Sequence, residues 1–256
     1  MNVKGMTAIV TGGASGLGEA CVRDLVRGGA KVAIFDSAAD RGERIAAELD
    51  KNVVFAHADV TREESLRAAV DKTLDAFGAI HIVINCAGTA DAIKVHSEKR
   101  GPHSMAAFSR MLSINLAGTF NVICLAVEKM IENTPNGEGE KGVIINTAST
   151  SAFDGQIGQA AYSASKAGIV GMTLPIAREC AEYGIRVVTI APGIFDTPLL
   201  ALLPESSREA LRKTVPFPSR MGRTEEFAAL ARHIIENPML NGEVIRLDGG
   251  LRMAAR

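Results

Sequence analysis

The amino-acid sequence predicts an α/β fold: a Rossmann-type, doubly wound parallel sheet of about seven strands with helices on both faces. Three observations predict it. Short β-branched runs alternate with longer amphipathic stretches along the 256 residues, the pattern of βαβ units, whose parallel strands need crossovers. The apolar runs AIV, VAIF, IVIN, VIIN and RVVTI are continuous rather than alternating, as befits strands covered on both faces. No Pro- or Gly-rich linker divides the chain, so residues 1–256 read as a single domain.

The first strand, Thr7–Thr11, runs into a glycine-rich turn and a helix over Gly16–Arg27. Strand Lys31–Asp36 and helix Ala39–Asp50 follow, then strand Asn52–Ala56 and helix Glu63–Phe77. A fourth strand, Ile80–Asn85, leads into Ala87–Met105, a segment with charged residues and a Gly-Pro that resists assignment. Helix Ala107–Glu132, the polar turn-forming loop Asn133–Lys141, strand Gly142–Thr147 and helix Tyr162–Tyr183 come next. Strand Ile185–Ala191 opens Pro192–Pro218, which holds five prolines and a short helix over Pro204–Lys213. Helix Thr224–Glu236 and strand Glu243–Leu247 complete the chain. The two long segments that follow strand ends lie where open α/β sheets bind ligands. Asn133–Lys141 precedes a strand and reads as an exposed connection.

With 28 Lys+Arg against 29 Asp+Glu, the charge balance argues against nucleic acid as the main partner. Cys21, Cys86, Cys124 and Cys180 are scattered without metal-ligand spacing, so buried reduced thiols and no metal are expected. Strand signals begin at Met6, which leaves no room for a targeting segment. No apolar run reaches the roughly 18 residues of a membrane span. Cytoplasmic localisation and no membrane partner follow as expectations.

Gly12, Gly16 and Gly18 have the spacing G-x-x-x-G-x-G between a strand and a helix. Glycines there permit a tight turn and close backbone approach to a pyrophosphate, which the helix amino end then receives. Asp36 ends the second strand, where a carboxylate accepts bonds from the adenosine ribose hydroxyls and repels a 2′-phosphate. Ser37, Ala38 and Ala14 supply no cation for that phosphate, so NAD is favoured over NADP. Asp59 can reach the adenine or cap the next helix equally well. Tyr162 and Lys166 stand at i and i+4 on one helix face. A neighbouring ammonium favours the phenolate and would lower the Tyr162 pKa towards general acid/base range. Ser149, at the end of the fifth strand, can donate to a carbonyl or alkoxide oxygen.

TGGASGLG (11–18), D-V-T (59–61), N-C-A-G (85–88), Asn115, Ser149, Y-S-A-S-K (162–166) and A-P-G (191–193) together resemble the short-chain dehydrogenase/reductase family over essentially the whole chain. The resemblance implies a catalytic group of Ser149, Tyr162 and Lys166. Asn115 is its implied fourth member, holding a water that links Lys166 to solvent. GVIINTAS (142–149), GQAAYSASKAGIVGMTLPIAR (158–178), TPLL (197–200), VPFPSRMG (215–222) and IIENPMLNGEVIRLDG (234–249) are similar to a narrower branch of that family. Its members oxidise short 3-hydroxyacyl-CoA thioesters with NAD, accept some steroids, and form homotetramers.

That likeness implies cofactor contacts from Ser15, Leu17, Asp36, Asp59, Val60, Cys86, Tyr162, Lys166, Phe195 and Thr197 beside the glycines, with Ser149 and Tyr162 on the substrate and a lid over about 194–217. Steroids or other small alcohols, and a non-catalytic scaffold in a multiprotein or RNA-processing assembly, stand as rival readings. Asp196 replaces an expected glycine, and the insertion TADAIKVHSEKRGPHSM (89–105) keeps its length class but not its residues. Lys94, Lys99, Arg100 and Arg220 are candidate partners for CoA phosphates.

Overall fold

The computed structural model describes residues 1–201 and 205–255. Its elements run β1 (Thr7–Thr11), α1 (Gly16–Arg27), β2 (Lys31–Asp36), α2 (Ala39–Leu49), β3 (Val53–His57), α3 (Glu63–Phe77) and β4 (Ile82–Asn85). A two-residue hairpin, β5 (His96–Ser97) and β6 (Gly101–Pro102), precedes α4 (Met105–Leu112) and α5 (Gly118–Met130). Then come β7 (Gly142–Thr147), α6 (Ala160–Ala181), β8 (Ile185–Pro192), α7 (Pro198–Ala201), α8 (Glu205–Lys213), α9 (Thr224–Glu236) and β9 (Val244–Leu247). The 7-stranded sheet has the order β3-β2-β1-β4-β7-β8-β9, every neighbouring pair parallel. The order reverses between β1 and β4, which opens a crevice at their carboxyl ends.

Alternation along each strand divides the core into two layers. Ala8 and Val10 of β1, with Val32 and Ile34 of β2, pack under α1 and α9, whereas Ile9, Ala33 and Phe35 point to the opposite layer under α3, α5 and α6. Both faces are covered, so β1 and β7 are buried along their whole length. Continuous apolar runs are the consequence.

The structure departs from sequence expectation at several element ends and in a few side-chain environments. The helix expected over Ala107–Glu132 begins at Met105, with Ser104 Oγ accepting from Ala107 N at 3.4 Å, and a π turn at Ser113–Ala117 splits it from α5. The whole stretch Met105–Met130 is helical and, by length and composition alone, long and apolar enough to cross a membrane. β4 starts two residues later than expected, and His81 Nδ1 accepts the Thr7 N–H at 3.2 Å, so a side chain rather than a ladder carbonyl takes that donor. The Asn133–Lys141 connection is polar as expected, yet its Glu140 is buried and pairs with buried Arg186 at 2.7 Å. Of the cysteines expected to be buried, Cys124 is exposed and Cys86 half-buried. The short helix starts at Glu205, Pro204 lying outside the described residues, and α7 precedes it.

Candidate active site

The crevice is floored by the turns that leave β1, β4 and β7. Gly12 has φ +63°, and a Cβ there would lie 2.8 Å from Ala87 N and 2.9 Å from the Cys86 carbonyl carbon, so only glycine lets these turns meet. At Gly18 a Cβ would collide with the Gly12 carbonyl, which sets α1 tightly against β1. Thr11 Oγ1 accepts from Cys86 N and Ala87 N, each at 3.1 Å, and fixes the β4 turn. Ser15 starts α1 without a side-chain cap, which leaves the helix amino end open to an anion. Half-buried Leu17 packs on the core below. Asp36 accepts from Ala14 N at 3.0 Å and Ala38 N at 2.9 Å, so its carboxylate is oriented on the rim of the glycine turn.

Asp59 belongs to a turn rather than a helix cap. Its Oδ1 accepts from the Thr61 hydroxyl at 2.7 Å and the Thr61 N–H at 2.9 Å, bonds that hold its carboxyl below the usual carboxylate range. Arg62, not Asp59, occupies the cap position of α3. Val60 is buried against α5, where a Cβ on Gly118 would meet its Cγ2 at 2.6 Å. Thr197 and Pro198 arch over Gly16, within 3.6 Å of where a Cβ would sit. Phe195 turns its ring into the core, edge-to-face on Phe227 at 6.4 Å, leaving only its main chain to face a ligand. The segment that these residues open is clamped at its base: Asp196 N donates to Gly222 O, and Gly222 N to Ile194 O.

Ser149, Tyr162, Lys166 and Asn115 gather beside that floor. Ser149 follows β7, and its Oγ accepts from Ser151 N at 3.1 Å, which leaves its own proton available for donation. Tyr162 lies in the first turn of α6. Burial pushes its phenol above the ordinary value, and the neighbouring Ser149 hydroxyl offsets part of that rise. Lys166, one helical turn on, is buried with Nζ 5.9 Å from the Tyr162 ring centroid and 2.8 Å from the Thr147 carbonyl. Burial lowers Lys166 to about 8. The lowering of Tyr162 expected from Lys166 is therefore not found: desolvation of the phenolate raises the pKa, and the Ser149 hydroxyl offsets only part of that rise.

The π turn aims Asn115 inward. Its Oδ1 accepts from Thr89 N at 2.8 Å, while Nδ2 donates to Thr89 O at 2.9 Å and Ser165 Oγ at 3.0 Å. Ser165 Oγ in turn donates to the Tyr162 carbonyl at 2.7 Å. Gly88 lies between the two polar groups: a Cβ on it would be 3.2 Å from Asn115 Oδ1 and 3.6 Å from Lys166 Nζ. Sequence reasoning missed Thr11, Thr89, Thr147 and Ser165. Only Ser165, three residues after Tyr162, had a readable signal, because serines in helices often bond a carbonyl one turn back. Arg220, a candidate for phosphate, is instead committed to Glu226 by two bonds of 2.9 and 2.5 Å. Asp196, where glycine was expected, pairs with Arg208 at 3.2 Å.

Dinucleotide and residues fit. The glycine cradle, the uncapped helix end and the anchored Asp36 match a pyrophosphate and a ribose in order along one crevice, and Lys166 retains donors beyond the one spent on Thr147. A family model described as short chain dehydrogenase matches residues 6–207. The 3-hydroxyacyl-CoA dehydrogenase type-2 of Homo sapiens is 54% identical over 253 residues, covering 98% of this chain and 97% of that protein. A crystal structure of 3-hydroxyacyl-CoA dehydrogenase type-2 from Mycobacterium avium superposes with a TM-score of 0.95 at 38% identity, covering 98% of each chain. A 3-ketoacyl-(acyl-carrier-protein) reductase from Brucella melitensis, complexed with NADH, gives a TM-score of 0.87 at 29% identity, covering 98% of this chain and 100% of the other. The chain is an oxidoreductase belonging to the short-chain dehydrogenase family.

Proposed function

We propose that this enzyme carries out the reversible, NAD-dependent oxidation of a short-chain 3-hydroxyacyl-CoA to the 3-ketoacyl-CoA. The observation that carries the reading is the meeting of the Ser149, Tyr162 and Lys166 side chains beside a dinucleotide cradle whose rim carboxylate is Asp36. Ser149 donates to the reacting oxygen, and Tyr162 as phenolate takes the hydroxyl proton. Lys166 holds the nicotinamide ribose, and its ammonium favours the phenolate. The nicotinamide ring, when bound, supplies the hydride acceptor. Asn115 and Lys166 flank Gly88 and hold the water through which the proton leaves. Asp36 selects NAD, since a 2′-phosphate would face a carboxylate anchored by two N–H groups.

The acyl-CoA assignment draws on relatives of that name at 53–54% identity. It also draws on the hairpin segment of Lys94, Lys99 and Arg100, which stands beside the loop leading into α6 through the bond from Ile93 N to Gly158 O at 2.8 Å. In this reading the chain is one domain with a lid over about 194–217, forms a homotetramer in the cytoplasm, and needs neither nucleic acid nor membrane. Comparing acetoacetyl-CoA with an uncharged ketone by NADH absorbance, with NADPH in parallel, tests it. A clear preference for the thioester with NADH is expected; equal use of the uncharged ketone would move the assignment to steroids or other small alcohols.

A further inference from the structure

Arg246 belongs to the edge strand β9, yet its guanidinium reaches the turn that carries Ser149. Nη2 donates to Asp154 Oδ2 at 2.6 Å and to the Leu251 carbonyl at 2.9 Å, while Nε donates to Asp248 Oδ2 at 2.8 Å. The Phe153 ring packs against the same group, its centroid 5.3 Å from Arg246 Cζ. The side chains of Arg246 and Asp154 are 21% and 22% exposed, so water and salt screen the pair less than a fully exposed one. Arg246 is itself held fast. At Gly193, just past β8, a Cβ would lie 2.8 Å from Asp248 Cβ, and Gly193 N donates to the Leu247 carbonyl at 2.9 Å. Asp248 Oδ1 accepts from Gly250 N at 3.0 Å, and buried Leu251 packs with Ile194 and Met221.

Asp154 closes a run of short-range bonds that begins at Ser149. Ser151 N donates to Ser149 Oγ at 3.1 Å, Ala152 N to the Ser149 carbonyl at 3.0 Å, and Asp154 N to the Thr150 carbonyl at 2.9 Å. Thr150 and Ser151 are buried, and a Cβ on Gly155 would collide with Ser163 Oγ on α6. A turn this compact moves as one body, so a displacement at Asp154 reaches the Ser149 hydroxyl. The chain beyond Arg246 grips the same loop again, since Gln156 Nε2 donates to the Ala254 carbonyl and Ile157 N to the Ala255 carbonyl, each at 3.0 Å. We propose that Arg246 is a positioning residue: by holding Asp154 it fixes the turn that aims the Ser149 hydroxyl at the reacting oxygen. The inference rests on reading Ser149 as the group that meets that oxygen. Its mark is a loss in kcat with NAD affinity kept, because the glycine cradle and Asp36 belong to β1 and β2, on the other half of the sheet.

The test measures NADH-dependent reduction of acetoacetyl-CoA by the full-length protein, by D154N and R246M, and by each of these combined with S149A. D154N keeps the shape of the loop and serves alone if R246M does not fold. Each single variant is expected to lower kcat about tenfold or more, since small misplacements of a reacting group are costly. With Ser149 already alanine, the same change should alter kcat by less than about twofold, because no hydroxyl remains to be aimed. Equal losses in both backgrounds, or an unchanged kcat in the single variants, overturn the proposal; so does full turnover by S149A. Calorimetry should give the single variants the NAD affinity of the parent. Hydrogen exchange gives a reading without turnover: in D154N the amides of Ala152, Phe153 and Asp154 should exchange about tenfold faster while those of β1 keep their rates. Unchanged exchange there, or a rise everywhere, overturns the hold of Arg246 on the turn. If the unaltered protein reduces neither acetoacetyl-CoA nor an uncharged ketone, the functional reading fails instead, and exchange alone judges that hold.

Discussion

At the scale of single residues, Tyr162 and Lys166 are set by burial as much as by each other. Burial disfavours both charged forms, so Tyr162 rises and Lys166 falls to about 8. Oxidation needs the phenolate and reduction the phenol. The rate of alcohol oxidation at low substrate is therefore expected to rise with pH as Tyr162 loses its proton, and ketone reduction to fall across the same range; parallel pH profiles check this. Y162F should lower turnover by about 10²–10⁴-fold, the usual contribution of a positioned acid/base. Its NAD affinity by calorimetry should stay near that of the parent. At the other end of the crevice, D36S removes the carboxylate that a 2′-phosphate would meet in the proposed reading. The kcat/KM ratio of NAD to NADP should fall about tenfold or more, since each 1.4 kcal/mol of lost repulsion is worth about a factor of ten. These side chains were legible because proton transfer and ribose binding demand particular residue types at particular spacings. Thr89 was not, because its partner Asn115 lies 26 positions away along the chain.

At the scale of elements, the π turn Ser113–Ala117 is the device that brings Asn115 to the site. A regular helix would place the same asparagine on a different heading, and π turns occur frequently at functional sites. Thr119 Oγ1 donates to the Asn115 carbonyl at 2.7 Å, and Ser165 holds its amide. S165A removes a buried acceptor and is expected to cost about 1–3 kcal/mol of stability in a urea titration. It should also slow turnover with little change in KM, because Asn115 loses its orientation while the substrate keeps its own contacts. Periodicity could not show the turn. The apolar pattern runs through Ala107–Glu132 without a break, and one extra residue per turn leaves no compositional mark.

At the scale of the whole molecule, two features outside the crevice govern stability and association. His81 must stay neutral for Nδ1 to accept the Thr7 N–H, and burial lowers its pKa from 6.5. The unfolded chain therefore binds the proton first, and stability should fall as pH drops below 6.5, levelling off once the folded value is passed. Thermal unfolding across that range should show the loss, and H81N should flatten it. Phe120 on α5 and Leu174 on α6 are 49% and 44% exposed on the outer surfaces of two apolar helices. The homotetramer proposed for this chain would cover those helices. L174R should shift the sedimentation coefficient towards smaller species; an unchanged value would place the contact elsewhere.

The sequence by itself determined the parallel sheet, the order of its layers and the chemical kind of the site. Periodicity, glycine spacing and the types of residue that proton transfer requires are local properties, readable without coordinates. Only the tertiary structure decided which way Asn115 points, that Arg220 is spent on Glu226, that Phe195 faces the core, and that Tyr162 is raised rather than lowered. Each of these depends on burial and on partners far apart in the chain, and both come into being only when the layers close.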